Sequence, residues 1–126
     1  MAENKAANSS ASSADCLFCK IVAGSIPSKT AFQNDELIAF HDINPAAPTH
    51  ILIVPRQHIL NTTELTESNA PLIGRLILAA AKIAHEQGLD SKGYRIVTNT
   101  GPDGGQSVSH LHLHLLGGRK MSWPPG

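Results

Sequence analysis

The stretch "SHLHLHLLGG", residues 109–118, sets histidines at 110, 112 and 114 between leucines at 111, 113 and 115 and ends on two glycines. Side chains alternate along a β-strand, so this pattern predicts a strand with three imidazoles on one face and three leucines on the other. The leucines belong under a covering layer. The histidines need another reason, because a merely solvated face more usually carries Thr, Lys, Glu or Ser. Two readings suit them. Histidines two apart on a strand can reach one metal ion, and imidazole is the side chain most easily tuned between its charge states near neutral pH.

The flanking loop weighs on that choice. A hydrolytic zinc centre needs three ligands, an open water position and commonly a nearby carboxylate base, whereas the neighbouring motif is Gly104-Gly105-Gln106-Ser107. A glycine-rich turn of this kind can aim backbone N–H groups at an anion. Beside a histidine strand the loop gains weight as a turn that holds an anion such as phosphate, and it argues against a zinc centre as the whole explanation.

Outward from the strand, the remaining segments read as one domain. "DCLFCKIVAGS" predicts a short helix capped by Asp15, with Leu17, Phe18, Ile21 and Val22 on its apolar face and Gly24 as its stop. "IPSKTAFQNDELIAFHD" predicts two strands joined at Asn34 and Asp35, the second running from Glu36 to Asp42. "HILIVP" reads as a central strand ended by Pro55. The strongest helical signal is "SNAPLIGRLILAAAKIAHEQGL", capped at Ser68 or Asn69 and stopped by Gly88, with Leu72, Ile73, Leu76, Ile77, Ala80, Ile83 and Ala84 on one face. "GYRIVTN" and "HLHLHLL" complete the strands. The expected architecture is α+β: a roughly five-stranded, mostly antiparallel sheet with one face under the long helix. Residues 1–14 are Ala, Ser and Asn with scattered charge and read as a flexible tail, leaving 15–126 as the domain.

Composition narrows the function classes. Ten basic and ten acidic residues leave the 126-residue chain with zero formal charge, and the absence of a basic stripe disfavours a nucleic-acid polymer as partner. No segment has the length and apolarity of a signal peptide or membrane span, so a cytoplasmic location is expected, with no membrane partner. In that reducing setting Cys16 and Cys19, spaced C-x-x-C, point to metal binding or redox chemistry rather than a structural disulfide. Redox chemistry lacks the βαβ context usual for such a motif. Two sulfurs would need two further ligands for tetrahedral zinc, and histidines are the obvious source.

"HLHLHLL" preceded by "GGQS" resembles the histidine triad, or HIT, superfamily of nucleotide hydrolases and transferases. "AFHDINPAAPTHILIVPRQHI", "GYRIVTNTGPDGGQSVSHLHLHLLGG" and the ending "MSWPPG" resemble its Hint branch over nearly everything from Asp15 to Gly126. The resemblance implies a HIT-like fold, a homodimer with a sheet continuous between protomers, and hydrolysis of purine nucleoside 5′-phosphoramidates or aminoacyl-adenylates to release AMP or GMP. It implies His112 as the nucleophile, His50 bracing it, His114 and Ser107 donating to the phosphate and the departing amine, and His110 completing the triad. Asp42 would hold the ribose; Phe18, Ile21, Ile26 and Ile43 would enclose the purine. Asn99, Gly105, Gln106 and Val108 would flank the phosphate or ribose, and Trp123 would reach substrate across the dimer. No metal is implied for the chemistry. Cysteine-bearing members of the superfamily imply a structural zinc held here by Cys16, Cys19, His58 and His110. A dinucleoside polyphosphate hydrolase, a nucleotide-binding or interaction module with incidental catalysis, and a zinc-binding protein are the competing readings; the "WPPG" ending counts against the first.

Overall fold

A computed structural model describes residues 15–126; the tail expected over 1–14 lies outside the described residues. The chain runs through helix α1 (Leu17–Val22), strands β1 (Thr30–Gln33), β2 (Leu37–His41) and β3 (Thr49–Pro55), and helix α2 (Ala70–Glu86). Strands β4 (Tyr94–Val97) and β5 (Leu113–Gly117) follow. The five strands form one sheet in the order β1-β2-β3-β5-β4, every neighbouring pair antiparallel. The α+β architecture read from the sequence is the one observed, with one long and one short helix.

Helix α2 covers one face. Leu76, Ala80 and Ile83 on the helix pack with Leu37, Ala39, Ile51, Ile53, Leu113 and Leu115 of the sheet. Ile77, expected on that apolar face, is instead 47% exposed. At 100° per residue the stripe through Leu72, Leu76 and Ile83 takes in Ala79 rather than Ile77. The opposite face is not open. Phe18 and Ile21 of α1 pack there against Ile38, Phe40, Leu52 and Val54, which is why β2 and β3 are apolar almost without interruption instead of alternating.

Two local differences from the sequence reading bear on the site. The cap of α1 is Cys16, not Asp15: its sulfur accepts the Cys19 N–H at 3.3 Å. The strand expected over the whole of "HLHLHLL" begins its ladder only at Leu113. Upstream, the backbone groups are occupied otherwise. The Leu111 N–H goes to the Ile59 carbonyl, the His110 carbonyl takes the His112 ring, and the His112 carbonyl takes the Thr98 hydroxyl at 2.8 Å. Alternation persists nonetheless, with Leu111, Leu113 and Leu115 all in the core beneath α2.

Candidate active site and metal cluster

Between α1 and the sheet lies a cleft of about 310 Å³ lined by Phe18, Ile21, Ile26, Asp42, Ile43, Ser107, Val108, His112 and His114, among others. The sheet supplies the histidines and Asp42, which follows β2; α1 and the loop after it supply the apolar wall. Ile43 stands at the mouth, 92% exposed. Leu17, Pro27, Ser28, His41, Asn44 and Leu52 also line the cleft, and the sequence reading did not assign them. The one signal for some of them was proximity in sequence to candidate residues: Leu17 to Phe18, Pro27 to Ile26, and His41 and Asn44 to Asp42 and Ile43.

The hydrogen-bond partners fix which ring nitrogens carry protons. A backbone carbonyl only accepts, so the contact of His112 Nδ1 with the His110 oxygen at 2.7 Å places the proton on Nδ1 and the lone pair on Nε2. His50 is set the other way. Its Nδ1 accepts the Ala46 N–H at 3.0 Å, so its Nε2–H donates to His114 Nδ1 at 2.9 Å. His114 then keeps its own proton on Nε2. The Asp42 carboxylate lies 3.5 Å from His50 Nε2 and caps the Asn44 N–H with its other oxygen.

Burial keeps these rings neutral. It pushes His50 and His112 below the ordinary histidine value, against the opposing pull of Asp42 on His50 and of the His110 carbonyl on His112. It takes His114 to about 4, helped by the neighbouring His112 and His50. A neutral His112 retains the lone pair a nucleophile needs. The same depression has a cost in acid: the unfolded chain binds protons near 6.5 while folded His114 resists them until about 4. Stability contributed by neutral His50 and His114 is therefore complete above 6.5 and is lost as pH falls toward 4. Thermal melts from pH 7.5 to 4.5 should fall monotonically over that window and flatten in His114→Asn; an unchanged slope in the variant would contradict the assignment.

The glycine loop differs from the anion cradle expected of it. The N–H groups of Gly105 and Gln106 close turns onto the Pro102 and Gly101 carbonyls. The Gln106 side chain is fully engaged, accepting from Asn61 and Gly101 and donating to the Leu60 and Val108 carbonyls. Asn99 Nδ2 holds the Gly104 carbonyl at 2.7 Å. Gly105, Gln106 and Asn99 thus brace the loop that presents Ser107 and do not line the cleft themselves. Gly104 is sterically required, since a Cβ there would meet the Thr100 carbonyl oxygen and sit 2.9 Å from its nitrogen. Gly104→Ala should displace Ser107 and reduce kcat by roughly tenfold or more while the core stays folded; wild-type kcat in that variant would show that the loop has room.

His110 does not line the cleft. Fully buried, it turns away from His112 into a group with Cys16, Cys19 and His58, whose ligand atoms all lie within 4.8 Å of one another. Its Nε2–H donates to the Pro55 carbonyl at 2.8 Å, leaving the Nδ1 lone pair aimed at the group. That nitrogen is 3.3 Å from Cys16 Sγ, 3.5 Å from Cys19 Sγ and 3.2 Å from His58 Nδ1, and Cys19 Sγ is 3.2 Å from His58 Nδ1. Tetrahedral zinc with ordinary bond lengths requires ligand separations of about 3.3 Å for N–N and about 3.5 Å for S–N. The donor set and spacing therefore fit zinc, and the Pro55 contact is the carbonyl support that metal-bound histidines typically have. Trp123 is 81% exposed and does not line the cleft.

The profile of the HIT domain family matches residues 23–121. The chain belongs to the HIT domain family. Its relatives within that family include the adenylylsulfatase HINT1 of Arabidopsis thaliana, 43% identical over 130 residues, with 100% of this chain and 88% of that one covered. A 14 kDa zinc-binding protein of Brassica juncea is 45% identical over 114 residues, covering 89% of this chain and 100% of its own. Among solved HIT structures, a HIT family hydrolase from Legionella pneumophila superposes with a TM-score of 0.87 at 48% identity, covering 88% of this chain and 99% of that one. No helix among the described residues is long and apolar enough to cross a membrane.

Proposed function

We propose that this HIT protein is a hydrolase of nucleoside 5′-phosphoramidates, releasing a purine nucleoside monophosphate through a nucleotidyl-His112 intermediate. The observation that carries the reading is the donation of His112 Nδ1–H to the His110 carbonyl, which leaves a neutral Nε2 in a cleft beside His114 and Ser107. In the first step Nε2 attacks the α-phosphorus, an N–P bond forms and the P–N bond to the amine breaks. His114 donates from Nε2 to a non-bridging oxygen as charge builds there. The Ser107 hydroxyl, which lines the cleft, passes a proton to the departing amine and regains one from the water of the second step. Water then attacks the phosphorus, and His112 leaves with its lone pair restored. Asp42 accepts the ribose hydroxyls, and the apolar wall of Phe18, Ile21, Ile26 and Ile43 takes the purine.

The name of the Arabidopsis relative supports a sulfate leaving group as a second reading; only the leaving group differs, since the nucleotidyl-histidine is common to both. Rates of AMP release from adenosine 5′-phosphoramidate, adenosine 5′-phosphosulfate and a diadenosine polyphosphate discriminate among them. The phosphoramidate is expected to give the highest kcat/KM, and a faster dinucleotide would overturn the proposal.

Cys16, Cys19, His58 and His110 would hold a zinc ion whose contribution is to tie α1 to the sheet, with the phosphoryl chemistry left to the side chains of the cleft. The zinc-binding relative supports that role. The exposed Trp123, the exposed Ile77 and Leu78 of α2 and the edge position of β4 support a homodimer in which the C-terminal segment reaches the partner's cleft.

A further inference from the structure

His110 is clamped at every polar group it has near the site. Its Nε2–H is held by the Pro55 carbonyl, its Nδ1 faces the two sulfurs and His58, and its carbonyl receives the His112 Nδ1–H. The residue that completes the cysteine cluster is thus also the one whose main chain decides the tautomer of His112. A second link runs through α1. Cys16 both caps that helix and approaches His110, and two residues along stands Phe18, only 3% exposed. Its ring lies edge-on to His112 at 4.9 Å between centroids and to His110 at 6.0 Å. Phe18 therefore presses on the nucleophile from the helix that the cluster anchors.

We propose that Cys16 and Cys19 are positioning residues for His112. With His58 they fix His110, and through the His110 carbonyl and the Phe18 ring they hold His112 with its proton on Nδ1 and its Nε2 lone pair in the cleft. The consequence for turnover rests on the reading of His112 as nucleophile; the positioning itself does not. A cluster that only stapled α1 to the sheet would affect stability and leave the His112 tautomer alone. A cluster that positions His112 changes which ring nitrogen carries the proton, because that choice follows the bond made by the other nitrogen.

The test reads the tautomer directly. Histidine labelled with ¹⁵N, observed through two-bond proton–nitrogen correlations and assigned with His112→Asn, is measured in four states: as purified with zinc, after chelation, after zinc is returned, and in Cys16→Ser. Serine is a favoured helix cap, so this variant preserves the start of α1 while replacing the thiolate. The zinc-loaded chain is expected to show a single Nδ1–H tautomer at His112. Chelation and Cys16→Ser should each produce a mixture of tautomers and a fall in kcat of about 10–100-fold, the scale at which a slight misplacement of the reacting group is felt, with KM within about twofold. Returned zinc should restore the chelated chain. Cys19→Ala provides a second variant, and chelation of the intact chain serves if either variant fails to fold. An unchanged, single Nδ1–H tautomer after chelation would overturn the proposal. A mixture of tautomers with kcat unchanged would uphold the positioning role and count instead against His112 as the nucleophile.

Discussion

Replacement of His112 with asparagine is expected to lower kcat on adenosine 5′-phosphoramidate by roughly 10³-fold or more, the scale at which removal of a covalent nucleophile is felt. The amide retains a donor and an acceptor and is close to imidazole in bulk, so the cleft should keep its shape and bind AMP. The expected signature is therefore loss of kcat with nucleotide affinity preserved. His112 is only 3% exposed and edge-packed on Phe18, so a melting temperature recorded beside the kinetics separates lost chemistry from lost packing. Retained turnover in a folded variant would remove the nucleophile from the account.

The second large effect is expected from the cysteine cluster. If zinc is present at about a thousand times its dissociation constant, its removal costs about 4 kcal/mol of stability by mass action. For a domain of this size that corresponds to a fall of roughly 15 °C in melting temperature. The cluster joins α1, the segment after β3 and the approach to β5, elements distant in sequence, so the loss should be cooperative. Chain purified without a polyhistidine tag should contain one zinc per protomer, and a strong chelator should lower the melting temperature reversibly. Absence of zinc, or a melting temperature indifferent to chelator, would contradict this part of the account.

Much of this was visible in the sequence because it depends on local periodicity. The leucines of "HLHLHLL" and the apolar positions of α2 follow their side-chain periods, and β3 is apolar from Ile51 to Pro55 because it is covered on both faces. What escaped depends on partners far along the chain. Nothing local shows that the Thr98 hydroxyl, the Ile59 carbonyl and the His112 ring itself occupy the backbone groups of residues 110–112 and delay the β5 ladder. Nor does "GGQS" show that the N–H groups of Gly105 and Gln106 close turns within the loop, or that Gln106 spends all four of its hydrogen bonds bracing Asn61, Leu60, Gly101 and Val108. Cys16 as the cap of α1 likewise becomes legible only once its sulfur is located.

The division of labour within the triad follows from the same contacts. Two of its histidines face the cleft, while the third turns to the sulfurs and lends the cleft only its carbonyl. Metal binding and phosphoryl chemistry can therefore share one short segment without sharing a side chain.

The proposed hydrolysis turns on the covalent nucleotidyl-His112. Its most direct measurement is rapid acid-free denaturing quench of the enzyme with a phosphoramidate labelled in its α-phosphate, followed by peptide mass spectrometry. Label is expected on the peptide carrying residues 110–114, attached at His112, formed before free AMP and absent from His112→Asn. Label that never becomes protein-bound while AMP accumulates, or label on another residue, would contradict it.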